Sequence, residues 1–203
     1  IGLVCDAVFT DFDNDGWEDL ILAGEWMPVT FLKNEKGIYK NTSSSSGINE
    51  KLGWWNTIAP GDFDNDGDID YVVGNMGSNS FYKGNEKFPA YITAKDFDNN
   101  GSYDAIPSLF LPDQKGELKE FPAQTRDDMI KQIIGMRVLF QNYRSYAVAT
   151  MDQVIPEEQR ASALRLKMNY TNSSYLQNNG HGKFSVIPLP RAAQTSALNG
   201  MVV

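Results

Sequence analysis

The sequence has one cysteine, one histidine and no long apolar segment, and each scarcity excludes a class of protein. Cys5 has no second cysteine to pair with in the 203-residue chain, so an intrachain disulfide is excluded. No apolar run approaches the roughly 18 residues of a membrane-spanning helix, so we expect no transmembrane segment. His181 lies in the turn sequence NNGHGK, without the nucleophile context of a Ser–His–Asp site. We therefore predict no catalytic residues.

Positively charged residues are fewer than negatively charged ones. The chain carries 26 acidic and 18 basic side chains, for a formal net charge of −8, and the basic residues form no stripe. Binding to nucleic acid depends on neutralising phosphates with lysine and arginine. We therefore predict that nucleic acid is not a partner.

Much of the acidity is concentrated in three copies of one motif. The copies are DFDNDGWED from Asp11 to Asp19, DFDNDGDID from Asp62 to Asp70, and DFDNNGSYD from Asp96 to Asp104. All three share aspartate at positions 1, 3 and 9, phenylalanine at 2, asparagine at 4 and glycine at 6. Oxygen ligands at alternate positions around a glycine turn are typical of a loop that binds Ca²⁺, which takes six to eight oxygens.

The predicted ligands are the side chains at positions 1, 3, 5 and 9 and the backbone carbonyl at position 7. In chain order they are Asp11, Asp13, Asp15, Trp17 and Asp19; Asp62, Asp64, Asp66, Asp68 and Asp70; and Asp96, Asp98, Asn100, Ser102 and Asp104. Asn100 replaces a carboxylate, so we expect three Ca²⁺ sites of which the third is weaker. Three such ions would add six positive charges to the acidic chain.

The sequences around the loops favour strands over helices. An EF-hand would need glutamate at position 12, where the three copies have Leu22, Val73 and Pro107. The flanking runs, such as DAVFT, LILAG and YVVGN, are short and rich in β-branched and aromatic residues. Each loop is therefore predicted to be the tip of a β-hairpin.

These residues resemble a known family. The pattern D-x-D-x-D-G-x-x-D between two strands is similar to the calcium loop of FG-GAP/VCBS repeats, which build integrin-α-like β-propellers. GDFDNDGDID, Gly61 to Asp70, and the hairpin SYLQNNGHGKFSVIPLP, Ser174 to Pro190, resemble VCBS-repeat proteins of the cartilage-acidic-protein (ASPIC/UnbV-associated) type most closely. The resemblance implies a mainly β fold, a partial β-propeller of antiparallel four-stranded blades with calcium-binding hairpin loops.

The chain is expected to form a single propeller segment with a helical insertion. The predicted blade units are about 1–50, 51–90 and 91–190, with the start of a further blade at 191–203. The insertion spans about 125–168, where T-x-x-D at Thr125 and T-x-x-Q at Thr150 are helix capping signals and EEQRASALRLK continues a helix after Pro156. The strands Ser174–Gln177 and Lys183–Ile187 are predicted to close the third unit.

The resemblance implies a binding or scaffolding role in an exported or cell-surface bacterial protein, within a larger chain or surface complex. We expect a protein or glycan partner. An alternative is a non-catalytic part of a polysaccharide lyase or hydrolase, or such an enzyme itself; another is a spacer domain. Candidate partner contacts are one of the adjacent tryptophans Trp54 and Trp55, then Trp17 and Trp26, and in the insertion Tyr143, Arg144 and Tyr146.

Overall fold

The computed structural model describes residues 2–202, and the protein is mainly β. Within those residues there are thirteen strands in three sheets. The strands are β1 Leu3–Thr10, β2 Asp19–Met27, β3 Thr30–Glu35, β4 Ile38–Asn41, β5 Gly53–Trp54, β6 Thr57–Gly61, β7 Asp70–Gly74, β8 Ala90–Lys95, β9 Asp104–Pro112, β10 Leu118–Pro122, β11 Leu164–Met168, β12 Ser174–Asn178 and β13 Phe184–Pro188. The chain divides into two compact units, Ile1–Asn85 with Met168–Val203 (unit 1) and Glu86–Lys167 (unit 2), where the sequence predicted one segment.

The helices are short. They are α1 Arg126–Gln132, α2 Met136–Leu139, α3 Tyr143–Ala147, α4 Met151–Val154 and α5 Glu157–Arg160, with 3₁₀ turns at Ser43–Ser45 and Arg191–Gln194. None of the helices in residues 2–202 is long and apolar enough to cross a membrane.

The first sheet of unit 1 is the four-stranded meander that the sequence predicted for the first unit. Its order is β1-β2-β3-β4, and β5 pairs with the far end of β2. In β2 the buried side chains alternate from Asp19 through Ile21 to Ala23, as expected for a strand with one face on the core.

The second sheet corrects the predicted unit boundaries. Its order is β13-β12-β7-β6, so the hairpin predicted to close the third unit closes the second. Ser174 pairs with Val73 and Leu176 with Tyr71. The side chains of Tyr71, Val73 and Leu176 are fully buried in one core. The sequence SFYK after β7 forms no strand among the described residues, which leaves the edge of β7 open to β12.

Aromatic side chains fill the core of unit 1. The Phe184 ring stacks on Phe31 with centroids 4.4 Å apart, and it meets Phe12 at 6.2 Å and Tyr71 at 6.0 Å. Trp55 is 1% exposed in the same cluster. Residues from both sheets therefore share one core, which ties β12 and β13 to the N-terminal half of the chain.

Unit 2 contains the third sheet, in the order β10-β9-β8-β11, and the five helices. The helix predicted after Pro156 ends at Arg160, and residues that were assigned to it form β11 instead. Arg165 of β11 lies over the Tyr91 ring of β8 at 3.7 Å and pairs with Glu120 of β10 at 2.8 Å. Packing against the sheet therefore overrides the local helical preference.

Both predicted capping signals are confirmed. The Thr125 side chain accepts a hydrogen bond from the Asp128 amide at the start of α1, and Thr150 forms a capping box with Gln153 at α4. The buried faces of these helices, including Met129 and Met151, form the core of unit 2 with Ile106 of β9.

The further blade predicted at 191–203 is not seen in the described residues. Arg191–Gln194 is a 3₁₀ turn, and residues 195–202 form no strand; Val203 lies outside the described residues. The Leu198 amide donates to the Asn75 carbonyl at 3.0 Å, and the Gln194 side chain bonds to Ser173. These contacts fix the segment to unit 1 without strand pairing.

Candidate metal centres

All three acidic loops are hairpin tips, as predicted. They connect β1 to β2, β6 to β7 and β8 to β9. The pairs that close the hairpins are equivalent: Thr10 with Asp19, Gly61 with Asp70, and Lys95 with Asp104. The position-9 aspartate is thus the first residue of a strand in each copy.

Two fixed positions of the motif, 4 and 6, are explained by the backbone conformation of the loop. Position 4 is left-handed in every loop, with φ values of 58° at Asn14, 61° at Asn65 and 58° at Asn99. Asparagine tolerates this conformation better than most residues. The position-6 glycines also have positive φ, and an added Cβ would meet nothing within 4 Å there. Conformation, rather than lack of space, explains these glycines.

The side chains at positions 1 and 5 hold the turn in the same way three times. Asp11 accepts the amides of Asp15 at 3.0 Å and Gly16 at 2.8 Å. Asp62 and Asp96 accept the equivalent amides at distances between 2.9 and 3.2 Å. The position-5 side chain accepts the position-7 amide in each loop: Trp17 donates to Asp15, Asp68 to Asp66 and Ser102 to Asn100.

The loops bring carboxylates together as a cation would require. Ligand oxygens lie within 4.8 Å of one another in three groups: Asp11, Asp13 and Asp15; Asp62, Asp64 and Asp66; and Asp96, Asp98 and Asp104. Asp13 Oδ1 and Asp98 Oδ1 are buried and have no hydrogen-bond partner among the described residues. Buried oxygens without donors beside other carboxylates fit a hard divalent cation.

The position-9 aspartates are buried and bonded to backbone amides. Asp19 accepts the Asn34 amide at 2.7 Å and the Phe12 amide at 3.3 Å. Burial raises the pKa of Asp19. The hydrogen bond from the Asn34 amide lowers this pKa, and the neighbouring Asp13 carboxylate raises it. Burial also raises the pKa of Asp104. A bound cation would oppose both effects by favouring the ionised form.

In loop 2 the same position has an additional donor. Asp70 accepts hydrogen bonds from the Tyr175 hydroxyl at 2.6 Å, the Asn178 amide at 2.8 Å and the Phe63 amide at 3.2 Å. The carboxylate of Asp70 is fully buried. β12 therefore contributes directly to loop 2, although it lies about a hundred residues further along the chain.

Sequence reasoning missed two asparagines that support the loops. Besides its amide bond to Asp19, Asn34 donates its side-chain Nδ2 to the Glu18 carbonyl at 2.9 Å. Asn178 repeats this arrangement, with Nδ2 donating to the Ile69 carbonyl at 3.1 Å and to the Phe12 carbonyl at 3.0 Å. The signal was present, because both asparagines open a hairpin turn that contains glycine, NEKG and NNG.

Loop 3 lacks such an asparagine. The backbone after Asp104 is held instead by two glutamines, because Gln132 accepts the Ala105 amide at 2.8 Å and Gln124 donates to the Ala105 carbonyl at 3.2 Å. The start of the insertion thus replaces the neighbouring hairpin turn in this copy.

The residue before each asparagine also contacts its loop. The Lys33 ammonium pairs with Asp13 Oδ2, and with Asp15 Oδ2 at 2.8 Å. These hydrogen bonds raise the pKa of Lys33 and lower that of Asp15. In loop 2 the corresponding residue is Gln177, whose Nε2 donates to Asp64 Oδ2 at 2.9 Å.

Loops 1 and 2 also contact each other, since Asn14 Nδ2 donates to Asp68 Oδ1 at 2.6 Å.

Comparison of the sequence with protein-family models identifies a repeat that includes these two loops. Residues 11–73 match the FG-GAP-like repeat. The matched FG-GAP-like segment contains both of these loops and the strands between them. Neither curated proteins nor solved structures gave a match to the chain.

The candidate partner contacts divide between core and surface. Trp55 is buried, whereas Trp54 lies against Trp26 with ring centroids 5.3 Å apart and against Tyr82 at 5.4 Å. Trp17 is 47% exposed at the tip of loop 1.

In the insertion only two of the three proposed contacts are available. Tyr146 is buried in the core of unit 2 and donates its hydroxyl to the Gln124 carbonyl at 3.0 Å, so it cannot contact a partner. Tyr143 is 62% exposed and bonds to Asp127 at 2.7 Å; Arg144 is also exposed.

Unit 2 has a cavity of about 570 Å³ with two carboxylates outside the metal loops. Asp113 accepts the amides of Lys115 and Glu117 at 2.8 and 3.0 Å, which closes the β9–β10 turn. Asp152 pairs with Arg160. Each carboxylate therefore has a local structural partner.

Proposed function

We propose that this chain is a calcium-binding FG-GAP/VCBS-type β-propeller segment that serves as a scaffold for a protein or glycan partner. The observation that carries the proposal is the threefold repetition of one loop geometry. The same side chain accepts the same two amides in each copy, and at least three carboxylates converge in each.

The ions would be structural in this proposal. All the ligands of a site come from one hairpin tip, and the carboxylates of that tip repel one another when no cation is bound. Because the folded loops gather these charges, the free energy of calcium binding stabilises the fold.

Metal removal tests the proposal. EDTA is expected to lower the melting temperature, and Ca²⁺ is expected to restore it better than Mg²⁺, which prefers a rigid octahedral shell. Asp66→Ala should reduce the calcium-dependent part of the melting temperature more than Glu18→Ala, because Glu18 is exposed and lies outside the ligand set. A melt insensitive to EDTA would refute the calcium sites.

A partly exposed group of aromatic side chains supports a binding role. Trp26, which packs on Trp54, has a φ of 59°, a left-handed conformation that is rare for a bulky side chain. Strained residues of this kind are concentrated at functional sites. The half-buried Trp26 and Trp54, with Tyr82 and the exposed Phe81 beside them, form an aromatic surface on unit 1.

Replacement of Trp54 by alanine tests this surface. We expect the variant to lose retention on immobilised polysaccharides or capture of a partner protein, with its calcium-dependent melt preserved. Phe9→Ala is the matched control, since Phe9 is an exposed aromatic residue of unit 1 outside the aromatic surface. Equal binding by both variants would exclude the aromatic surface as the contact.

A location outside the cytoplasm agrees with the loop chemistry and with the resemblance to cartilage-acidic-protein-type VCBS proteins. Extracellular calcium modules bind with dissociation constants of about 10⁻⁴ to 10⁻³ M. The clustered carboxylates of loop 2, Asp62, Asp64 and Asp66, are exposed, which favours weak binding of this order. Titration with Ca²⁺ checks this expectation, and nanomolar affinity would contradict it.

The second candidate function is a polysaccharide-processing enzyme, favoured only by the cavity that contains Asp113 and Asp152. Because both carboxylates have structural partners, we propose a non-catalytic role. Incubation with acidic and neutral polysaccharides should release no reducing ends or unsaturated products. Activity that disappears in Asp113→Asn and Asp152→Asn would reverse this conclusion.

A further inference from the structure

We propose that Lys33 is a built-in competitor of the metal ion in loop 1, so that loop 1 binds Ca²⁺ more weakly than loop 2. The inference rests on the calcium sites of the proposed function and specifies how two of them differ. The difference comes from a neighbouring strand rather than from the side-chain ligands of the loops, because positions 1, 3, 5 and 9 are aspartate in both.

Lys33 and Gln177 occupy equivalent places. Lys33 immediately precedes Asn34 in β3, and Gln177 immediately precedes Asn178 in β12. Each of these buried asparagines donates its backbone amide to the position-9 aspartate of the adjacent loop. Each side chain then reaches the position-3 aspartate of the adjacent loop. One unit thus contains two copies of a site that differ by one positive charge.

The charge lies where it can oppose a cation. The Lys33 ammonium contacts Asp13 and Asp15, two of the three clustered carboxylates of loop 1. It is only 27% exposed and Asp13 only 12%, so water screens the pair less than a fully exposed one. An incoming divalent ion must displace this ammonium or remain beside it, and both cost binding free energy.

Gln177 has the opposite consequence. Its amide donates one hydrogen bond to Asp64 and brings no charge, so it orients the carboxylate without repelling a metal ion. Loop 2 should therefore fill first as Ca²⁺ rises. Loop 1, neutralised in part by Lys33, should keep its fold at lower Ca²⁺ concentration than loop 2.

A reciprocal exchange tests the proposal on the full chain. Lys33→Gln gives loop 1 the loop 2 residue, and Gln177→Lys does the reverse. Lys33→Arg keeps the charge, and Lys40→Gln removes the same charge from the same hairpin, where Lys40 pairs with Glu35 rather than with the loop. All four variants change one side chain on a strand or hairpin outside the ligand set.

Tb³⁺, a hard oxygen-binding ion that emits when excited through a nearby indole, is the probe for loop 1. Trp17 belongs to that loop, and no other tryptophan lies in an acidic loop. Excitation selective for tryptophan, in the presence of competing Ca²⁺, gives the Ca²⁺ affinity of loop 1. An Asp66→Ala background removes any contribution from loop 2. Calorimetry with Ca²⁺ alone gives the affinity of loop 2 in an Asp15→Ala/Asp96→Ala background, which disables loops 1 and 3.

We expect Lys33→Gln to tighten Ca²⁺ binding at loop 1 at least about tenfold, equivalent to about 1.4 kcal/mol. Gln177→Lys should weaken loop 2 by a similar factor, and Lys33→Arg and Lys40→Gln should leave loop 1 within about twofold. An unchanged loop 1 affinity in Lys33→Gln, with loop 2 still binding, would overturn the role of Lys33 alone. If neither loop binds Ca²⁺ in any variant, the proposed calcium function falls with it.

Discussion

Replacing Asn178 with alanine should destabilise unit 1 strongly, because its buried side chain makes three hydrogen bonds. Its side chain donates to the Phe12 and Ile69 carbonyls and accepts the Gly180 amide at 3.0 Å. Asn178 is 3% exposed, so water cannot replace these bonds without opening the structure. The bond from its own amide to Asp70 persists in the variant.

The magnitude follows from the three lost hydrogen bonds. Each is worth about 1 kcal/mol net, and each buried group left without a partner costs about 1–3 kcal/mol. Partial relaxation of the turn places the expected loss near 3 kcal/mol, or roughly 6–12 °C in melting temperature for a chain of this size. Asn178→Asp should be at least as damaging, because it turns a donor facing two carbonyls into an acceptor.

Tryptophan fluorescence during urea unfolding in excess Ca²⁺ is a suitable assay, since all four tryptophans lie in unit 1. The matched control is Asn179→Ala. Asn179 is adjacent and exposed, and the shortest hydrogen bond of its side chain is to Ser185 at 3.0 Å, so the change should stay within about 0.5 kcal/mol. Equal stability of the two variants would refute the assignment of Asn178 as the support of loop 2.

Further predictions concern the core, pH and the independence of unit 1. Phe184→Ala should lower the free energy of unfolding by about 3–5 kcal/mol, because it leaves a cavity in an aromatic cluster. Phe81→Ala, at an exposed site, should change the free energy of unfolding little. Urea unfolding compares the two variants. Burial raises the pKa of Asp19 and Asp104 above 3.8 in the metal-free fold. The folded state therefore holds protons that the unfolded chain has lost, so stability in EDTA should fall as pH rises from about 4 through the raised pKa values, and a rise there would contradict the assignment. Finally, replacing Glu86–Lys167 by a Gly/Ser linker should leave a unit 1 that unfolds cooperatively and binds Ca²⁺. Fluorescence checks the unfolding and calorimetry checks the binding. A molten product would show that unit 1 depends on unit 2.

The parts of the fold with a local pattern could be predicted from the sequence. The acidic loops, their hairpin strands and the capping signals at Thr125 and Thr150 each depend on residues a few positions apart. The partner of the β12–β13 hairpin could not be predicted, because a hairpin with one apolar face fits any open sheet edge of suitable length. β11 was mistaken for helix because its local charge order suits a helix dipole, while contacts to Tyr91 and Glu120 decide the outcome.

The candidate sites divide in the same way. The clustering of carboxylates at Asp11, Asp13 and Asp15 follows from spacing within one turn. The contribution of Lys33 does not, since it acts across 20 residues from a neighbouring strand. The role of position 4 was also open in the sequence, and only the left-handed backbone at Asn14 explains why asparagine recurs there.

The sheet order of unit 1 has a consequence for synthesis of the chain. The hydrogen bond between Asn178 and the Phe12 carbonyl joins residues 166 positions apart in the chain. β7 cannot pair with β12 until all of unit 2, which lies between them in the sequence, has been synthesised. At translation rates of about 5–20 residues per second, the first loops exist on the order of ten seconds before their last support is made. During that interval the nascent chain presents an unpaired strand edge, which is a site for aggregation or chaperone capture. Because β12 follows unit 2 in the chain, unit 2 can fold to completion before unit 1.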